Sequence, residues 1–430
     1  MLLGYAVENY RSFRDEAFLD LRPAKTKVLG RYPNNYVTLE TGEKALKEIV
    51  IVGENAGGKS NFVESLMFFR DLLTRNDLQP RSYANIINSS NVTFANEEQT
   101  LADSSRSRSK QSFYVEVALE QLTYTYQLAL DRWGIVEEGL SFRSTRKGAE
   151  HDVFKLVRIS NRSCSSCDKA GDCDRDGVAG CSEYHVEYRS SEETWSPEDM
   201  ERFSAAQEGG RRLTLVWMAT VGDAHCKRLL EWFVDKLVVA CAPSPADLEG
   251  GRSVEELLAV MGTREYIDII RLIDPSIKAI KLDVEHPLRE SQVIRANEDG
   301  REFKRPVKDD SAGVQLFLCW AYYIYLVIHQ NKTVIADEID STINPVLSDR
   351  VIALINGSKH HGQFIFTTHN IFNLTLRTHM KEQIYFVTKD TMSLESSLYS
   401  AADFDEIRYD VKGELYEFYL RGLLGGTAYA

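Results

Sequence analysis

Eight consecutive residues, Gly53-Glu54-Asn55-Ala56-Gly57-Gly58-Lys59-Ser60, fit the phosphate-cradling pattern G-x-x-x-x-G-K-S/T without a mismatch. Glycine carries no Cβ, so a loop built on it can wrap closely round an anion. Successive backbone N–H groups then turn inward, and a helix starting at the loop adds its positive end. In that chemistry Lys59 neutralises charge on the β- and γ-phosphates, Ser60 offers Mg²⁺ a hydroxyl, and Gly53, Asn55, Gly57 and Gly58 shape the cradle. The bland alternative is a glycine turn of no function.

A second group lies far downstream. Thr333-Val334-Ile335-Ala336 reads as a short buried strand and runs straight into Asp337-Glu338. Open α/β sheets bind ligands at the C-terminal edge of their strands, which is where these two carboxylates would lie. Asp337 suits Mg²⁺, directly or through water, and Glu338 suits a base that polarises the attacking water. A solvated acidic turn is the alternative. Ser311-Ala312-Gly313-Val314-Gln315 precedes that strand and opens an apolar helix, and His369 follows the next strand.

These residues need elements to hold them. Residues 2–10 and 17–21 read as strands, and 47–52 is a β-branched run that predicts a buried parallel strand. From Lys59 the spacing of Phe62, Leu66 and Phe69 predicts a helix. Residues 78–110 are polar and predict a loop or insertion. Residues 113–130 alternate and predict antiparallel strands, which 139–143 and 153–159 extend. Helices are expected over 213–240, 254–273 and 313–329. Strands are expected over 277–284, 292–295, 333–336, 363–367 and 384–388. The alternation of short strands and helices in the C-terminal half predicts an α/β sheet. No internal repeat is visible.

The order of P-loop, S-x-G-x-Q, Asp-Glu and histidine resembles the ABC-type ATPase heads of the SMC, RecF and OLD-like superfamily. The resemblance implies that ATP is bound and hydrolysed. It implies that Ser311 and Gly313 contact the γ-phosphate held by a second subunit, that Asp340 and Ser341 line the dimer contact, and that His369 senses the γ-phosphate. The ends of the chain carry a narrower likeness. Val7-Glu8-Asn9-Tyr10-Arg11-Ser12-Phe13 resembles the N-F-x-S-F opening of the prokaryotic AAA-15/AAA-21 ATPases. Residues 338–345 resemble their D-E-I-D…H-P segment, with Asn344 in place of histidine. Residues 407–422 resemble their closing element. Such ATPases commonly belong to anti-phage defence systems, as in PARIS and RloA-type systems, and pair with a nuclease. The chain departs from the wider pattern at Ala312 and Val314 and lacks an evident Q-loop glutamine, which fits slow or regulated hydrolysis.

Cys164-x₂-Cys167-x₅-Cys173-x₇-Cys181, with His185 nearby, would suit a structural Zn²⁺. The overlapping Asp172-x-Asp174-x-Asp176-Gly177-x₅-Glu183 also fits a calcium loop, and free reduced thiols are the third possibility.

The 430 residues suggest two or three units. The expected architecture is an ABC-type ATPase head of mixed α/β sheet with N-terminal antiparallel strands. It is divided into 1–160, an inserted and partly helical region 161–300 with the Cys-rich loop, and 301–430. A net charge of −13 argues against non-specific coating of nucleic acid, leaving 301–305 with Lys308, and 106–110, as candidate basic grooves. No stretch of 18 apolar residues and no signal-peptide pattern is read, so a cytoplasmic protein without membrane contact is expected. The expected partners are a second copy, a separate nuclease effector, and either DNA or a phage protein as trigger.

Overall fold

The computed structural model describes residues 1–24, 27–74, 110–131, 134–144, 148–161, 182–188, 212–241, 244–339, 344–405, 407 and 415–425. The cysteines Cys164, Cys167, Cys173 and Cys181 lie outside these residues, as do Asp340, Ser341 and most of the expected loop at 78–110. In chain order the main elements begin with β1 (Leu2–Glu8), β2 (Ala17–Asp20), β3 (Tyr36–Thr38), β4 (Lys44–Leu46), β5 (Glu48–Gly53) and α1 (Lys59–Thr74). Then follow β6 (Gln111–Leu119), β7 (Leu122–Asp131), β8 (Gly134–Arg143), β9 (His151–Asn161), β10 (Ser182–Tyr188), α2 (Thr214–Val221), α3 (Ala224–Asp235) and β11 (Leu237–Cys241). The C-terminal half adds α4 (Pro245–Gly251), α5 (Val254–Met261), α6 (Arg264–Ile270), β12 (Ile277–Lys281), β13 (Gln292–Ala296), β14 (Glu302–Pro306) and α7 (Ala312–Gln330). It closes with β15 (Thr333–Asp337), α8 (Pro345–Gly357), β16 (Gln363–Thr368), β17 (Ile384–Lys389), β18 (Ser396–Ser400) and α9 (Leu415–Leu420).

Two large sheets organise this mixed α/β fold. The central one has the order β11-β15-β16-β5-β17-β18, parallel except for the β17–β18 hairpin. The outer one, β10-β9-β8-β7-β6-β1-β2, is antiparallel throughout. Side chains alternate along a strand, so each central strand feeds two cores. Ile49, Ile51, Ile335 and Ile365 face a core shared with α1 and the outer sheet. Val50, Val52, Val334, Ala336, Phe364 and Phe366 face a second core built around α7. That two-sided burial is why these strands read as continuous apolar runs.

Two helical expectations need correction. Residues 237–241 are not the end of a helix but β11, paired parallel with β15. Gly222 takes a left-handed φ of 107° and ends α2, Asp223 caps α3, and the β-branched run that follows joins the sheet edge. Residues 254–273 form two helices, because Gly262 ends α5 and the Thr263 hydroxyl accepts the Tyr266 N–H to start α6. The strand β14 was not expected at all; its side chains are almost all exposed, so no apolar alternation announces it. The helix α7 is long and apolar enough to cross a bilayer, but it is a core helix, with Phe317, Leu318, Trp320, Ile324 and Leu326 buried.

Candidate nucleotide site at the edge of the central sheet

Because β5, β15, β16 and β17 run parallel, their C-terminal ends gather at one edge. There β5 gives way to the glycine loop, β15 ends in Asp337-Glu338, β16 is followed by His369, and β17 ends in Lys389. Asn55, Ala56, Gly57, Gly58, Lys59, Ser60, Asn61, Glu338, His369 and Lys389 line one cleft of about 270 Å³.

The loop is tightly determined. Ala56 adopts φ 61° and Gly58 φ 116°, left-handed values that turn the chain sharply into α1. A Cβ on Gly53 would lie 2.4 Å from the Val387 carbonyl oxygen, and one on Gly58 would lie 2.4 Å from Ser396 Oγ. The glycines at 53 and 58 are therefore imposed by packing against β17 and β18, from beneath the loop. The expected reason, room for a ligand to approach, is not what fixes these two. Lys59 Nζ donates to the carbonyls of Gly53 and Glu54, both at 2.9 Å, and lies 3.4 Å from Nδ1 of His369. Its ammonium is thus held over the loop and beside the histidine.

On the opposite wall, Thr367 joins the two acids. Its buried hydroxyl donates to Asp337 Oδ1 at 2.5 Å and accepts the Glu338 N–H at 2.8 Å. Glu338 has φ 52°, a left-handed conformation that the Thr367 contact helps to hold. Asp337 itself is 7% exposed. Cys241 pairs with Asp337 across β11 and β15. Burial, reinforced by the Asp337 carboxylate, pushes the Cys241 thiol up to about 11, so it stays neutral beside the acid.

Asn55, Gly57, Gly58, Lys59, Ser60, Glu338 and His369 therefore meet at the cleft, whereas Gly53 and Asp337 do not line it. Ser311 and Gly313 do not line it. Ser311 is exposed at the start of α7, where its hydroxyl caps the Val314 N–H at 3.4 Å. Asn344 caps α8 through the Leu347 N–H at 2.9 Å, with Pro345 in the first turn. The Asn344 side chain thus serves as a helix cap. Among the described residues, no cluster of three or more His, Cys, Asp or Glu side chains is arranged to hold a metal. Thr367, Lys389, Asn61, Ser12 and Ser396 were not singled out from sequence as site residues. Thr367 closes an apolar strand with a hydroxyl, Asn61 adjoins the glycine loop, and Ser12, Ser396 and Lys389 come into place through distant pairing.

No protein-family model and no curated protein matches the chain. Among solved structures, an SMC head bound to the C-winged helix domain of ScpA is similar over 93% of this chain and 97% of its own, with 12% identity and a TM-score of 0.45. The SMC head domain from Thermotoga maritima is similar over 93% and 98%, with 13% identity and a TM-score of 0.37. An SMC head with an extended coiled coil, bound to the C-terminal domain of ScpA derived from Pyrococcus furiosus, is similar over 93% and 96%, with 10% identity and a TM-score of 0.37.

Proposed function

We propose that the chain binds ATP with Mg²⁺ in this cleft and hydrolyses it slowly, as a switch. The observation that carries this is the meeting of Lys59, Ser60, Glu338 and His369 in one cleft although they come from three parts of the sequence. The donor set fits the ligand: a cationic ammonium and a helix N-terminus on one side, a carboxylate pair with a hydroxyl on the other. Ser60 Oγ and the Asp337 carboxylate are the groups that would hold Mg²⁺, which when bound offsets negative charge on the phosphates. Lys59 and the loop N–H groups neutralise and orient the phosphates. The Glu338 carboxylate orients the attacking water and takes its proton, and His369 sits where a terminal phosphate would be sensed.

Lys59→Ala should abolish ATP binding in a titration followed by calorimetry. Glu338→Gln should bind ATP normally but turn it over about 10²–10⁴-fold more slowly, the usual contribution of a positioned base. Normal turnover by Glu338→Gln would show that the base has been misassigned.

Ser311 and Gly313 would complete the site of a second copy, since they are displayed at the open start of α7 and outside their own cleft. In this reading 1–160 and 301–430 form one ATPase head, with β11 lent by the 161–300 stretch. ATP-dependent dimerisation of Glu338→Gln, lost in Ser311→Arg, is the expected light-scattering result. The likeness of the chain ends to defence ATPases supports a reading in which the switch is cytoplasmic and controls a separate nuclease in an anti-phage system. A neighbouring nuclease whose toxicity responds to Lys59→Ala during phage challenge would support that role. Zn²⁺ at the four cysteines is a further proposal, tested by metal content near one per chain.

A second reading is a DNA-gripping ATPase of the RecF kind. Arg301, Lys304 and Arg305 are exposed around β14, whereas Lys308 is engaged by Glu290 at 2.7 Å. Hydrolysis stimulated by DNA and suppressed by salt would favour it.

A further inference from the structure

The N-terminal turn between β1 and β2 reaches the underside of the glycine loop. Asn9 and Arg11 take left-handed φ values of 55° and 50°, and Tyr10 and Phe13 exchange backbone hydrogen bonds. This folds the chain so that Ser12 points at the loop. Asn61 Nδ2, one turn into α1, donates to Ser12 Oγ at 2.7 Å. Ser12 Oγ lies 2.8 Å from Ser396 Oγ, and Ser396 Oγ lies 2.7 Å from the Gly57 carbonyl oxygen. The Ser396 N–H also donates to the Ser12 carbonyl at 2.7 Å.

Proton counting gives this chain a direction. The Gly57 carbonyl only accepts, so the single Ser396 hydroxyl proton goes to it. Ser396 Oγ must then accept from Ser12, whose oxygen in turn accepts from Asn61. Each hydroxyl uses one proton and one acceptor position, and both serines are 9% exposed or less. Removing the Ser396 hydroxyl strips the buried Gly57 carbonyl of its partner, and removing the Ser12 hydroxyl leaves that partner without the donor that orders it. Gly58, next in the loop, packs its Cα directly on Ser396.

We propose that Ser12 and Ser396 are positioning residues. Their hydroxyls set the shape of the phosphate loop and couple it to the β1–β2 turn, and so to the outer antiparallel sheet. The idea rests on the nucleotide reading above for its ligand, but not for its geometry. A load on the outer sheet would reach the loop through Ser12, and a phosphate on the loop would stiffen the turn, because coupling is reciprocal.

The test uses the full chain, with Ser12→Ala, Ser396→Ala and the double variant. Each single variant should bind ATP about five- to tenfold more weakly, the scale of one lost hydrogen bond plus an unsatisfied polar group. The double variant should be no weaker than either single one, because one break already opens the chain. Hydrogen exchange without nucleotide should show faster exchange of loop residues 53–60 in Ser12→Ala than in the parent, with global melting little changed. Losses that multiply in the double variant, or loop exchange that is the same in Ser12→Ala and the parent, would overturn the proposal. The exchange arm needs no ligand. A parent protein that fails to bind ATP would therefore sink the nucleotide reading while the coupling is still decided.

Discussion

At the residue scale the site depends on small groups whose environment leaves them no freedom. Gly58 combines a left-handed backbone with a contact that a Cβ would occupy. Gly58→Ala should therefore eliminate ATP binding, by forcing Ser396 and the loop apart, while leaving the two cores folded. Calorimetric titration checked against a melting curve would show this, and binding within twofold of the parent would refute it. Thr367 is a different kind of residue, because it lies outside the cleft lining and fixes both acids. Thr367→Val keeps the shape of the side chain and removes the hydroxyl. It leaves Asp337 and the Glu338 N–H without their partner. A drop in kcat of about ten- to a hundredfold is expected, corresponding to roughly 1.4–2.7 kcal/mol of lost positioning, with a smaller change in KM.

At the element scale, caps and strand ends decide where chemistry falls. Asn344 starts α8 through its side chain, and Asn344→Ala should cost about 1 kcal/mol of stability without altering the P-loop. Denaturant unfolding measures the cost, and ATP affinity is the control. The parallel order β15-β16-β5-β17 brings four strand ends to one edge. Helix α7 supplies the opposite result: it buries Trp320 and its neighbours in the core while leaving Ser311 exposed at its first turn. A stable core helix with an open N-terminus is the arrangement that a site completed by a second copy requires.

At the scale of the whole molecule, the loop is anchored by residues far apart in sequence. His379 Nε2 lies 3.2 Å from Glu48 Oε1, both fully buried, at the start of the strand that leads into the cradle. Burial opposes charge on His379, but the Glu48 carboxylate, aided by the Thr375 carbonyl and the charge of Asp349, outweighs it and raises the pKa above the ordinary histidine value. Thr378 Oγ1 also faces the ring, at 2.9 Å from Nδ1. A raised folded pKa means the pair stabilises fully below the unfolded value of about 6.5, and that the contribution fades as pH rises through the folded value. The melting temperature of the parent should therefore fall relative to that of His379→Gln as pH increases above about 6.5. A pH-independent difference would contradict the assignment.

The sequence by itself marked most of the residues that line the cleft and most of the strands. Gly53 to Ser60, Asp337-Glu338 and His369 were legible because phosphate loops and strand-end acids are local patterns, and two-sided burial leaves uninterrupted apolar runs. Among the strands it did not determine are β11 and β14, besides β3, β4, β10 and β18. The first is a β-branched run directly following a helix, and the second is an exposed edge with no apolar period. Nor did it reveal Ser12, Ser396, Thr367 or Lys389, which come into place only when strands separated in sequence are paired. Tertiary structure also changed the explanation of Gly53 and Gly58, from making room for a ligand to making room for β17 and β18. Local sequence records what each segment can form. Which backbone lies beneath a loop is set by the sheet order, and no short stretch of residues contains that order.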